Sequence, residues 1–444
     1  METVVVGAGL SGLAFAHARR RARPEEELLV LEAGPRPGGL VRTVAEQGYR
    51  FEEGPEALPE RAPALRALCA ELALELVPAP RAARRRYLAL DGKLMEVPDA
   101  LEDLATSRVL SFSAKLRLMA EASCAPGEAL DGSIADFARH RFGNEALERV
   151  VDPLVAGIHA GDPAQLSLRA CFPEVVRMVE EHGSITAALK ARAQRKQPRD
   201  PGASLAGSLL RPAGGMEQLA RALARELGAQ LRLEASVRAI EREAHGFRVR
   251  EASGTIHQAR RVVLALPLDP ARTLLGAAAP EAATALASME AESLVAVVHA
   301  YRRADVAHGL EGFGYLVPRS AGGIVLGTLF SSSLAPDAAP PGQVLLRSLL
   351  GGARHPSLAE LTDDELVART RAECTPFLGL SGAPTFARVA RYPRAIPRLD
   401  LEHPARRARL AAALSEGLHV LGSFTRGVGL ESLVAEARAL AATL

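Results

Sequence analysis

The chain has 444 residues, 54 Lys+Arg against 52 Asp+Glu, a net charge of +2 and 48% hydrophobic residues. That length exceeds one simple core and predicts two or three intimately connected units, while the near-neutral balance, without basic–aromatic interleaving, argues against nucleic-acid partners. Cys69, Cys124, Cys171 and Cys374 are scattered with no C-x-x-C and no metal spacing. They read as reduced thiols of a cytoplasmic protein rather than a disulfide frame.

Thr3–Val6 predicts a buried strand that runs straight into Gly7-Ala8-Gly9-Leu10-Ser11-Gly12 and an apolar helix. In G-x-G-x-x-G, Gly7 permits the tight turn and Gly9 lets backbone approach a pyrophosphate. Gly12 lets helix and strand close together, so the helix N-terminus offers free N–H groups to the anion. A second strand, 28–31, ends at Glu32, 20 residues past Gly12. An acid there accepts from a ribose hydroxyl and repels a 2′-phosphate. Strand, glycine turn, helix and acid in register predict dinucleotide binding. No run of about 18 apolar residues occurs to span a bilayer, and residues 1–14 lack the basic start of a signal peptide.

Residues 62–77 predict an amphipathic helix with Leu65, Leu68, Leu72 and Leu76 on one face, closed by Pro78 and Pro80. The basic stretch 81–86 leads into a hairpin over 86–94 around Asp91-Gly92. From about 98 to 195 the pattern is helical, in stretches at 114–122, 133–141, 145–151, 171–181 and 185–194. Residues 186–201 turn basic and lose apolar content, which predicts a surface loop, with a membrane-facing patch as the sharper alternative. Pro212-Ala213-Gly214-Gly215-Met216 opens a helix at 217–227. Strands at 230–233 and 237–242, a hairpin over 247–259 and a buried strand at 261–267 return the chain to the nucleotide domain. Residues 270–395 predict a second, largely antiparallel sheet, with extended segments at 294–301, 314–318, 323–329 and 344–350. A last strand at 418–424, the turn Arg426-Gly427-Val428-Gly429 and a helix at 430–444 supply another set of helix N-terminal N–H groups.

The stretch Ala33-Gly34-Pro35-Arg36-Pro37-Gly38-Gly39-Leu40-Val41-Arg42, with Phe51-Glu52-Glu53-Gly54-Pro55 after it, resembles the FAD-binding pattern of the flavin amine-oxidase superfamily. Bare backbone there can lie against the adenine and pyrophosphate, and Arg42 offers a fixed fork to phosphate oxygens. Further on, Gly157-Ile158-His159-Ala160-Gly161-Asp162-Pro163, Leu166-Ser167-Leu168-Arg169 with Phe172-Pro173, and His182-Gly183-Ser184 are similar to runs of the protoporphyrinogen oxidase family. Gly312-Phe313-Gly314-Tyr315-Leu316-Val317-Pro318 resembles its G-F-G-x-L-V-P. The resemblance covers residue 2 to about 440.

It implies an α/β fold: a Rossmann-like FAD-binding domain with a mixed-sheet substrate domain and a helical insertion. The division expected is 1–80, 211–269 and 396–444 for FAD, 81–210 for substrate pocket and helices, and 270–395 for the substrate sheet. It also implies oxidation of protoporphyrinogen IX by three rounds of hydride transfer to flavin N5, with dioxygen reoxidising the flavin to give peroxide. The flavin carries the driving force, so orientation and water exclusion are the protein's share, and no side chain is expected to act as acid or base.

FAD contacts carry over onto Gly7, Ala8, Gly9, Leu10, Ser11, Gly12, Glu32, Ala33, Gly39, Leu40, Arg42, Gly54, Pro55, Glu56, Ala57, Val237, Ser423, Val428, Gly429 and Leu430. Glu56 departs from family members with arginine there, and is expected to turn away from the ring. For substrate, Arg86 would pair with a propionate, and Leu316 and Leu349 would pack on the macrocycle. Backbone from Gly157 to Gly161 would accept pyrrole N–H bonds, and His159 would line the wall or join a hydrogen-bond network.

A coproporphyrinogen III oxidase of the same family is the near rival, since Arg81, Arg84, Arg85, Arg86 and Lys93 could serve four carboxylates. An amine oxidase is the remote one: no lysine follows Lys196, and without Trp and with five Tyr an aromatic amine cage is poorly supplied. A homodimer and peripheral contact with the inner face of the cell membrane stay open.

Overall fold

A computed structural model describes residues 1–98, 106–124, 129–195 and 208–444. Its centre is a five-stranded parallel sheet in the order Leu231–Arg232, Leu28–Leu31, Thr3–Val6, Arg261–Ala265, Leu418–Leu421. Val4 pairs with Leu29 on one side and Val262 on the other. The three central strands are apolar except at Thr3 and Arg261, their first residues, because both faces are covered. Val5, Val30 and Val263 join one core with Leu13, Phe15, Met216 and Val434, while Val4, Leu29 and Val262 join another with Ile240, Phe247 and Leu274.

The helix Leu10–Ala22 packs between Glu217–Leu227 and the terminal helix Leu430–Thr443. Its close approach depends on Gly12, where a Cβ would stand 2.1 Å from the Gly7 carbonyl oxygen.

The second sheet has seven strands, ordered Phe386–Pro397, Ala291–Arg302, Gln343–Gly351, Val325–Leu329, Gly314–Leu316, Arg86–Leu90, Lys93–Glu96. Pairing is antiparallel except between Gly314–Leu316 and Arg86–Leu90. The hairpin at Asp91-Gly92 thus extends a sheet expected only from 270–395; both turn residues have positive φ, 50° and 72°. Period-two alternation splits the strand Gln343–Gly351. Leu346 and Leu350 face the core under the helix Asp363–Leu378, while Leu345 packs on Tyr49 and Phe51 of the strand Tyr49–Glu52. Arg347 and Leu349 share the face of Leu345.

Three expectations are corrected. The helix over 62–77 ends at Glu71. Ala73 turns left-handed at φ 49°, and Leu74 N–H closes back on Cys69 C=O at 2.9 Å, a C-terminal turn that leaves Leu76–Pro78 to pair as a strand with Leu209–Pro212. Residues 186–195 belong to the helix Ile185–Arg195 rather than a loop, and 196–201 lie outside the described residues. The motif around Gly157 lies on a further helix, Asp152–His159, continued from Asn144–Ala146 through a widened turn at Leu147–Val151. Pro153 lacks the N–H that would bond back to Arg149, which lets the turn before it widen. Helices of the insertion start at Ser111, Ser133 and Ser167, whose hydroxyls cap Ala114, Asp136 and Ala170 N–H.

Candidate active site

The first glycine loop forms a cradle. Gly7 has φ 102°, and a Cβ on it would lie 2.3 Å from Ala265 O, while a Cβ on Gly9 would meet nothing within 4 Å. The helix from Leu10 has no side-chain cap, so its first N–H groups are open to a ligand. Gly39 brings a second bare backbone against Gly9, with 3.2 Å between a Cβ there and Gly9 Cα. Glu32 ends its strand in this cradle, accepting from Ala8 N–H at 2.7 Å and Gly34 N–H at 2.8 Å. Open space at Gly9, uncapped N–H groups and a carboxylate at the strand end fit an adenosine diphosphate moiety, as FAD carries.

Ala235 N–H bonds Glu32 C=O at 2.8 Å, which brings the segment before Val237 to the same strand end. Ser423 opens a short helical turn after the strand Leu418–Leu421, and Gly429, also without a side-chain cap, precedes the helix at Leu430. The sequence reading left out Arg36. Its guanidinium donates to Gly39 C=O at 2.7 Å. Burial and then the charge of Arg42 lower it from the ordinary guanidinium value, so two cations face one region. Arg42 itself donates to Glu53 Oε2 at 2.8 Å, and the other oxygen of Glu53 lies 2.9 Å from Arg388 on the seven-stranded sheet.

Gly54 sits tight under that loop, with 1.9 Å between a Cβ and Leu40 O, and Leu40 itself is half exposed. Arg347 closes this seam. Its Nη1 donates to Gly54 C=O at 2.6 Å and to Glu56 Oε2 at 3.2 Å, and its Nη2 to Glu53 C=O at 3.0 Å. Glu56, beside Pro55 and Ala57, is drawn to this arginine rather than out to water. Glu52, one strand position before the loop, accepts from Met216 N–H at 3.0 Å and Thr43 Oγ at 2.8 Å. Burial first, and Glu56 nearby, push its carboxyl up to about 7.

Across the sheet, Leu349 pairs with Gly327, Gly327 with Leu316, and Leu316 with Leu88. Partners in register share a face, so these residues form one row. Arg86, two residues before Leu88, lies on that face, donates to Arg84 C=O at 3.1 Å and stands 5.6 Å over the Phe313 ring. The helix Asp152–His159 covers the row, with Gly157 against Leu316. Asp152 anchors it to the sheet domain by accepting from Arg354 at 2.7 Å and Arg319 N–H at 2.9 Å. Gly161 packs on Leu166.

His159 is buried, its ring 5.3 Å from Phe172 edge-on, and neither ring nitrogen has a partner among the described residues. Burial lowers it to about 4, which favours the neutral ring.

The model of the flavin containing amine oxidoreductases matches residues 10–439. The chain belongs to that family. A chloroplastic protoporphyrinogen oxidase of Nicotiana tabacum is 33% identical over 97% of this chain and 83% of its own length. A coproporphyrinogen III oxidase of Bacillus subtilis is 25% identical over 99% of this chain and 96% of its own. A solved structure from Exiguobacterium sp. 255-15, provisionally named a protoporphyrinogen oxidase, superposes with TM-score 0.82 at 25% identity, covering 100% of this chain and 98% of that one. Membership makes the chain a flavin-dependent oxidoreductase with an α/β fold. No described helix is long and apolar enough to cross a membrane.

Proposed function

We propose that this flavoenzyme oxidises protoporphyrinogen IX to protoporphyrin IX, with dioxygen as the final electron acceptor. The observation that carries the reading is the strand Gln343–Gly351. On one face it brings Arg347, bound to the Gly54–Glu56 loop, and Leu349, in the row with Leu316. The row of Leu349, Gly327 and Leu316 thus begins one pleat from the Gly54–Glu56 loop, about 7 Å along the strand.

FAD held there supplies the hydride acceptor, used three times per macrocycle. The chain's own residues do the rest. The cradle and Glu32 would hold the ADP end, Arg36 and Arg42 would offer their charge to its phosphates, and the seven-stranded sheet would orient the macrocycle. Gly327 and Gly157 let Leu316 pack closely between the sheet and the helix, since a Cβ on either comes within 2.9 Å of Leu316 Cδ2. The last carbonyls of the helix Asp152–His159 have spare acceptor capacity for pyrrole N–H groups. Arg86, at the Phe313 end of the row, takes a propionate.

Two propionates suit the basic turn better than four. Arg85 is engaged outside the row, 2.8 Å from Glu311 and 3.7 Å from Glu96. Aerobic turnover of both porphyrinogens by the FAD-loaded protein, followed by porphyrin fluorescence, tests the reading. Preference for the tetracarboxylate would move the assignment to the coproporphyrinogen oxidases.

Peripheral membrane contact belongs to the same reading. Phe112 and Met119 are 77% and 73% exposed, with Leu116 between them at helical spacing, an apolar stripe water disfavours. Vesicle flotation of the wild type against a triple serine variant at these positions tests it; equal flotation would remove the membrane from the picture.

A further inference from the structure

Glu56 and Arg347 form a buried ion pair, with side chains 9% and 7% exposed, between the Gly54–Ala57 loop and the substrate sheet. Charges taken out of water are costly unless they are paired and hydrogen-bonded. Here the pairing is incomplete. The Nη atoms of Arg347 reach Glu56 and two loop carbonyls, whereas its Nε–H is buried without a partner among the described residues. A guanidinium that already satisfies one carboxylate and two carbonyls still holds a donor in reserve. It does so where the strand passes from the cofactor loop to the substrate row.

Other polar groups surround the pair: Arg211 faces Glu56 and Glu52, and Tyr392 faces Arg347. Glu52 lies behind the loop, held by Met216 N–H and Thr43, and Glu53 turns its carboxylate to Arg42 and Arg388. Glu53 gives Arg347 only its backbone C=O. Among the described residues Glu56 is the carboxylate in hydrogen-bond reach of the Arg347 guanidinium.

We infer that the Arg347–Glu56 pair sets the redox poise of the bound flavin: Arg347 stabilises the negative charge that reduction leaves on the ring, and Glu56 offsets part of that effect. The inference rests on the FAD reading and deepens it. Two electrons and one proton added to a neutral flavin leave one negative charge. A guanidinium beside the ring favours that product, and a paired carboxylate opposes it. Glu56, an acid where arginine would have been simple, thus holds the potential below the value that Arg347 alone would give.

The test is a dye-equilibrated reductive titration of the FAD-bound wild type and of Glu56→Gln, read from the flavin absorption bands. Glu56→Gln keeps both carbonyl contacts of Arg347 and should retain its fold and its flavin. Its reduction equilibrium should rise about tenfold, close to 30 mV for a two-electron couple. Arg347→Lys, which keeps a charge without the fork, should fall on the opposite side of wild type from Glu56→Gln. A yellow Glu56→Gln protein with an unmoved or lowered potential overturns this inference alone. A wild-type chain that takes up no FAD overturns the underlying reading with it.

Discussion

A Cβ placed on Gly157 would stand 2.6 Å from Leu316 Cδ2, so the insertion helix and the seven-stranded sheet meet with no room for a methyl group. The obstructing atom ends a flexible side chain, so Leu316 can swing aside, and the direction left to it is into the row it shares with Leu349. Gly157→Ala should therefore keep its fold and flavin while losing substrate affinity. An overpacking cost of about 1.4 kcal/mol corresponds to roughly tenfold in KM. Unchanged KM with full flavin content would place Leu316 outside the pocket.

Two glycines of the cradle should separate folding from binding. At Gly12 the obstruction is the Gly7 carbonyl, 2.1 Å away, and backbone cannot step back. Gly12→Ala should lose flavin and unfold more easily, by about 2–4 kcal/mol. At Gly9 the space is open, so Gly9→Ala should keep the stability of the flavin-free chain and crowd only the ligand. Flavin-to-protein absorbance and urea midpoints for the two variants read the difference directly.

Stability should depend on pH through two buried groups of opposite sign. Glu52 titrates near 7 in the folded chain against an ordinary 4.5. Its stabilising contribution is complete below about 4.5 and is lost as pH rises through 7. Relative to wild type, Glu52→Gln should gain stability between pH 5 and pH 8, by an amount on the order of 3 kcal/mol. His159, lowered from 6.5 to about 4, behaves in the reverse way. Its contribution is present above 6.5 and is lost as pH falls through 4, so His159→Phe should be less acid-sensitive than wild type. Chemical denaturation across pH 4–8 checks both.

The helical insertion is held from inside by Glu121 and Arg141, 2.9 Å apart with side chains 1% and 0% exposed. Glu121 also accepts from Ile185 and Thr186 N–H at 3.0 and 2.9 Å, which ties the last helix of the insertion to the pair. Arg141→Met leaves that carboxylate buried without its cation and should cost about 3–5 kcal/mol in unfolding free energy. Adding Glu121→Gln should recover part of the loss; a double variant worse than the single would show that the pair is not the source.

Where chemistry is written in neighbouring residues, it could be read without coordinates. Thr3–Val6, the turn at Gly7–Gly12 and Glu32 form one unit in which the strand period, the glycine spacing and the acid agree. The hairpin at Asp91-Gly92 and the helix after Met216 are equally local. The helix ending at Glu71 was misread because Leu72 and Leu76 continue an apolar spacing while a left-handed residue at Ala73 stops the helix. The spacing is equally compatible with a turn and a strand.

By itself the sequence determined the strand, glycine turn and helix at the amino end and most strands of the two large sheets, because each rests on a local backbone preference. Only the tertiary structure decided what Glu56 and Arg42 face. Arg347 reaches Gly54 from 293 positions away, and a slip of one residue in the register of its strand would send it to the opposite face of the sheet. Such a register is fixed by the packing of whole layers, with Leu346 and Leu350 under one helix and Leu345 against Tyr49 and Phe51, and no short stretch of chain carries that information.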